Sequence, residues 1–229
     1  MSSGREEVER FQRRLLRNIE YHEELTLALY GKTRRASLEA MLSEQFVMSI
    51  AVLWEAFVND LIVAYVVAAP SKYLKQLESR IKQSTNERYG KTVAANIRFK
   101  KPKAFNKVKA LEMIDPRGWN IRTKKGETLS SRANDLLTAK YAKKFSLGSD
   151  DNQMIEILTM LRNYLAHRST GARSGLRNVI SNIDCNGTNA PLADKLGDIG
   201  HYLKRCVDGK NTRAIFIAKR FIDIAEKLK

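Results

Sequence analysis

Three side chains whose chemistry complements one another lie close together late in the chain: Arg162, Asn163 and His167, in the stretch Gln153–Arg168 (QMIEILTMLRNYLAHR). If that stretch is helical, they fall within one and a half turns. An i, i+4 relation places Asn163 and His167 on one face, and Arg162, about 100° from Asn163, needs its long stem to join them. An imidazole titrates near neutral pH and can take or give a proton, whereas a guanidinium keeps its charge and holds an oxyanion by two parallel hydrogen bonds. On spacing alone, an Arg/His pair near a helix C-terminus reads first as a cap that compensates the helix dipole.

The elements that must position this trio are helical. Met154, Ile155, Leu158, Leu161 and Leu165 form an apolar stripe ahead of it, and Ser169-Thr170-Gly171 reads as a helix stop that leaves His167 in the last turn. Residues 5–30 read as an amphipathic helix with Leu15, Leu16, Ile19, Leu25, Leu27 and Leu29, ended by Gly31. The first proline is Pro70, so residues 36–69 are expected as a second, longer helix closed by it. Its apolar run from Phe46 to Ala69 is long enough to span a bilayer, but Glu55 and Asp60 lie inside it, each costing about 2.5–3.5 kcal/mol near the membrane centre. A core helix with no membrane role is the expectation. Gln45, Ser49, Glu55, Asn59 and Asp60 share an arc of about 140° opposite Phe46, Ile50, Leu53 and Phe57, which makes Glu55 or Asn59 the candidate to face the trio.

Residues 71–90 read as a short polar helix ended by Gly90, Ala172–Ile183 as a weaker one, 184–197 as a loop leading into a helix, and Thr212–Leu228 as a last amphipathic helix. No stretch alternates like a strand, and the fold class is all-α.

Charge narrows the partners. The chain has 229 residues, 43% of them hydrophobic, with 41 basic against 25 acidic residues, a net charge of +16. Such a field draws polyanions, nucleic acid first. From Arg98 to Lys144 there are 14 Lys or Arg and 4 Asp or Glu, with Phe99, Phe105, Trp119 and Tyr141 among them. Cations track phosphates and rings stack on unpaired bases, so Lys100, Lys101, Lys103, Lys124 and Lys125, with Arg168 beside the trio, are candidate contacts to a single-stranded nucleic acid. The same pattern equally suits a solvated insertion whose aromatics pack beneath it. Cys185 and Cys206 have no metal-ligand spacing, and His22, His167 and His201 are the only histidines. With no GxxxxGK[ST], GxGxxG, HExxH or GxSxG, neither a metal nor a cofactor is expected. The N-terminal MSSGREEVERFQRR lacks the apolar core of a secretory signal, so a cytoplasmic location is expected.

The run Leu161-Arg162-Asn163-Tyr164-Leu165-Ala166-His167 resembles the signature of the HEPN superfamily: an Arg, a polar residue and, after a short interval, a His. Leu53-Trp54-Glu55-Ala56-Phe57-Val58-Asn59-Asp60-Leu61 resembles that superfamily's second helix, in which an acidic residue faces the Arg/His pair. The variant it is most similar to is the RiboL-PSP-HEPN type, which carries an inserted segment between those helices. The resemblance covers about residues 5–70 and 105–170. It implies a single HEPN-like helical domain over residues 1–229 with long antiparallel helices, a basic insertion at about 91–148 and a helical extension at about 172–229. It also implies a homodimer in which two Arg/His motifs line one cleft, and a metal-independent endoribonuclease of the toxin or antiviral kind, acting on single-stranded RNA, with an antitoxin or other regulatory protein as a further partner. Catalysis would rest on Arg162, His167, Asn163 and Glu55. A non-catalytic HEPN module that binds RNA or nucleotide, or scaffolds a protein, is the competing expectation. A basic DNA-binding protein is a third, for which no helix-turn-helix spacing is present.

Overall fold

The computed structural model describes residues 3–98, 105–115, 128–181, 198–207 and 209–229. Among them are eleven α-helices and no strand, with one isolated antiparallel bridge between Cys206 and Thr212. The chain divides into two compact units, one comprising Met1–Val8, Ala56–Ser146 and Leu228–Lys229, the other Glu9–Glu55 and Leu147–Lys227. Two long helices, α1 (Gly4–Ala28) and α2 (Arg35–Ala68), contribute to both.

Local signals account for the ends of these helices. Ser3 and Glu6 form a reciprocal capping box, the Glu6 amide donating to Ser3 Oγ (3.3 Å) and the Ser3 amide to Glu6 Oε2 (2.8 Å), which satisfies donors that a helix start leaves open. Gly31, at φ 72°, takes the left-handed turn that releases α1. α2 runs 34 residues and stops at Ala68, and Pro70 sits at the N-cap of α3 (Ser71–Tyr89), where its missing N–H costs nothing. The membrane question raised by α2 is met by burial, since 67% of its most apolar window is inside the structure.

In the first unit α3 is followed by α4 (Lys91–Ala95), α5 (Lys107–Ile114), α6 (Leu129–Leu136), α7 (Ala139–Ala142) and a 3-10 turn at Lys143–Phe145. Tyr65 organises its core: the ring stacks on Tyr141 at 4.6 Å, meets Phe145 edge-on, and its hydroxyl donates to the Leu228 carbonyl at 2.6 Å. Burial, with Tyr141 beside it, pushes the Tyr65 phenol up to about 12. Lys107 bridges two carboxylates, Glu7 at 3.1 Å and Asp60 at 2.9 Å. Of the four aromatics interleaved with the basic run, Phe105 is buried and Tyr141 is stacked on Tyr65, so these two pack as core; Phe99 and Trp119 lie outside the described residues.

The second unit is a helical bundle. Phe11 meets Trp54 (5.8 Å), Asn18 donates to Ser49 (3.2 Å) and the His22 ring stacks on Phe46 (4.4 Å), an order that makes α1 and α2 antiparallel. Against them lie α8 (Ser149–His167), α10 (Ile199–Lys204) and α11 (Arg213–Lys227), and α9 (Thr170–Ser181) packs on α8. Phe221 of α11 meets the Trp54 ring edge-on at 4.7 Å. Gly200 is required by a close approach: a Cβ there would stand 2.6 Å from the Ala40 carbonyl oxygen. The loop expected at 184–197 lies outside the described residues.

Candidate active site

Helix α8 begins with charge complementary to its dipole. Asp150 and Asp151 stand in its first turn, where the free amides favour anions, and Asp151 is buried. Its carboxylate accepts from Arg220 Nη2 at 3.2 Å and from Lys227 Nζ at 2.7 Å, which fastens α8 to α11. Met154, Leu158 and Leu161 then turn inward as the sequence stripe requires, and Ile157 and Tyr164 join them. Ile155 and Leu165 of that stripe are half-buried instead.

The polar trio occupies the outward side of the last turns. Five residues separate Arg162 from His167, about 140° around the axis, so the two side chains leave the helix in diverging directions and no hydrogen bond joins them. Arg162 turns toward α2: its Nε, shielded from solvent, stands 3.4 Å from Glu55 Oε1, an ion pair short of hydrogen-bond geometry, and its Nη1 donates to Asn163 Oδ1 at 3.4 Å. Glu55 is 48% exposed and Arg162 32%, so the pair is open to ligand. His167 is exposed, and among the described residues no hydrogen bond or ion pair fixes its ring. Asn59, the other candidate on the polar arc of α2, is buried.

The helix stop differs in detail from the sequence expectation. α8 ends at His167, but the left-handed residue is Arg168 (φ 49°, ψ 19°), whose amide donates to the Tyr164 carbonyl at 2.7 Å, and α9 restarts two residues later at Thr170 with Gly171 inside it. Ser169 makes this restart possible, because its Oγ accepts from the Ala172 amide (3.2 Å) as an N-cap. Arg168 is therefore committed: it pairs with Glu44 and lies 5.2 Å over the Tyr164 ring. Glu44 is the residue that sequence reasoning missed. It lies eleven residues, about three turns, before Glu55, and so shares the α2 edge that meets α8. The two ion pairs, Glu55 with Arg162 and Glu44 with Arg168, set α8 antiparallel to α2.

Glu55, Arg162 and Asn163 are thus brought together, and His167 is exposed about one and a half turns further along α8, pointing away from Arg162 and without touching them. Lys100, Lys101, Lys103, Lys124 and Lys125 lie outside the described residues. Among the described residues no three His, Cys, Asp or Glu side chains converge as metal ligands would. No family model, curated protein or solved structure matches this chain.

Proposed function

We propose that this chain is a metal-independent endoribonuclease of the HEPN kind that cuts single-stranded RNA, acting as a toxin or antiviral defence effector in the cytoplasm. The observation that carries the reading is the C-terminal end of α8, where a guanidinium stands against a carboxylate and an exposed imidazole with no partner among the described residues follows five residues later, on a chain of charge +16. In the reaction the ribose 2′-oxygen attacks the adjacent phosphorus, its proton passes to a base, the P–O5′ bond breaks, and the leaving oxygen receives a proton. The products are a 2′,3′-cyclic phosphate and a 5′-hydroxyl. One imidazole serves as base or acid, an effect of about 10²–10⁴-fold. Arg162 holds the charge that builds on the phosphorus oxygens, Glu55 sets its direction, and Asn163 contacts Arg162 or phosphate.

Two imidazoles serve this reaction better than one, and a single chain supplies one at this site, His167. A two-fold dimer through α8 and the Glu55 face of α2 brings in the second, and the divergence of Arg162 from His167 within a chain fits a cleft assembled from two copies. Exposed apolar side chains on that face, Met41 and Val52, suit such a contact. A regulatory partner or antitoxin would act by covering the same face.

The test is incubation with RNA in EDTA. Cleavage by the wild type and not by His167→Ala, leaving 2′,3′-cyclic ends, is the expected result, and sedimentation should give a dimer. Equal binding by both proteins without cleavage would leave a non-catalytic RNA-binding module, and preference for duplex DNA would remove the RNA reading altogether.

A further inference from the structure

The outward face of α1 carries cations that the candidate site does not use. Arg13, Arg14 and Arg17 are exposed, and Tyr21, one turn beyond Arg17, is 53% exposed. On the helix these four side chains fall within an arc of about 100°. Arg13 and Arg17 stand at i, i+4 and Arg14 and Arg17 at i, i+3, spacings at which like charges repel and oppose the helix. Among the described residues none of the three arginines has a carboxylate or hydrogen-bond partner, although Glu20, Glu23 and Glu24 follow on the same helix. Their position relative to the site is set by one contact. Asn18 donates to Ser49, so Arg14 and Tyr21, a turn to either side of Asn18, border the same outer face as Gln45 and Val52, a turn to either side of Ser49. Glu55 lies one further turn along that face, and it holds Arg162.

We infer that Arg13, Arg14, Arg17 and Tyr21 form a track for single-stranded RNA along the rim of the face that bears Glu55 and Arg162, the cations following successive phosphates and the ring stacking on a base. This rests on the ribonuclease reading for its substrate and places RNA binding on α1, a helix the charge distribution of the sequence did not single out. Guanidiniums left unpaired on a half-buried helix suit phosphate, and an exposed ring at their end suits an unpaired base.

The experiment measures binding of a labelled single-stranded RNA by fluorescence anisotropy over a series of salt concentrations, in a His167→Ala background so that the probe stays intact. Each phosphate contact on a single strand contributes about 0.7 to the slope of log affinity against log salt. Replacing Arg13, Arg14 and Arg17 together by Ala should lower the slope by about 2, replacing them by Lys should leave it, and Tyr21→Ala should weaken binding by about fivefold or more with the slope unchanged. An unchanged slope in the triple Ala variant, or a change in its dimerisation with RNA affinity intact, would overturn the track. A protein with His167 intact that binds RNA and never cuts it would defeat the ribonuclease reading, while the loss of slope would still uphold the track.

Discussion

At the N-terminal end of α8 a carboxylate is buried and met by two cations, Asp151 with Arg220 and Lys227; at the C-terminal end Arg162 has one loose ion-pair partner, Glu55, and one long hydrogen bond, to Asn163, and His167 has no partner among the described residues. Both clusters sit on one helix of one unit, and both join it to a neighbour. The difference is saturation. A buried charge must be answered or it costs several kcal/mol, so the first cluster is closed and its function is to hold. An exposed pair at 3.4 Å is worth about 0.2–1 kcal/mol, so the second contributes little to the fold and stays open to a ligand.

That contrast can be broken most sharply at the open end. His167→Ala and Arg162→Ala should each lower RNA cleavage by about 100-fold or more while shifting stability by no more than about 0.5 kcal/mol, which rates and thermal melts on the same samples will check. A melting point that collapses with the activity would place these residues in the closed class.

Next in size is the closed end. Asp151→Ala should destabilise the protein by about 1–3 kcal/mol, lowering the melting temperature by about 2–4 °C per kcal/mol, with cleavage per folded molecule retained. The lower part of that range is expected because Lys227 is 51% exposed and can return to water.

A third prediction concerns pH. His22 is buried against Phe46 with its Nδ1 unpartnered, and burial lowers its pKa from the usual 6.5. Above pH 6.5 the ring is neutral in folded and unfolded chains alike. Below it the unfolded chain takes up a proton that the folded one resists, so this contribution to stability is lost as pH falls toward the folded-state pKa. Denaturant melts between pH 7.5 and 5.5 should show a decline that His22→Phe reduces. An identical pH profile in the variant would assign the effect elsewhere.

The smallest effect is expected at Glu55. Glu55→Gln keeps the shape and removes the charge that directs Arg162, so cleavage should fall about two- to fivefold, the rate equivalent of a surface ion pair, with the melting point unmoved.

Much of the scaffold could be read in the residues because its signals are local. Gly31 and Pro70 bracket α2, and the apolar spacing of Met154, Leu158 and Leu161 gives the buried side of α8. Glu55 was legible as a break in an apolar run, and it does reach Arg162. Asp151 was not, since its partners lie 69 and 76 residues away and no spacing rule connects them. Arg168 taking the left-handed position in place of Gly171 was equally hidden: its cost of roughly 1–2 kcal/mol is offset by Tyr164, one turn back, and by Glu44, 124 residues away, which no spacing rule connects to it. In the basic segment, helices of eight residues or fewer such as α5, α6 and α7 are too short for a period to stand out, and Phe105 and Tyr141 read as stacking rings because only tertiary contact shows them buried or stacked as core.

The reach of α11 has a consequence for synthesis. Phe221 closes the ring cluster at Trp54, and the Ile222 carbonyl accepts from Gln12 Nε2 at 3.3 Å, a separation of 210 residues along the chain. At about 5–20 residues per second, the roughly 170 residues after Trp54 take on the order of ten to thirty seconds to make. Through that interval the flank of α1 and α2 that α11 covers has no partner from that helix. Arg162 is made about two-thirds of the way through that stretch, before the last helix that completes the bundle around its partner Glu55.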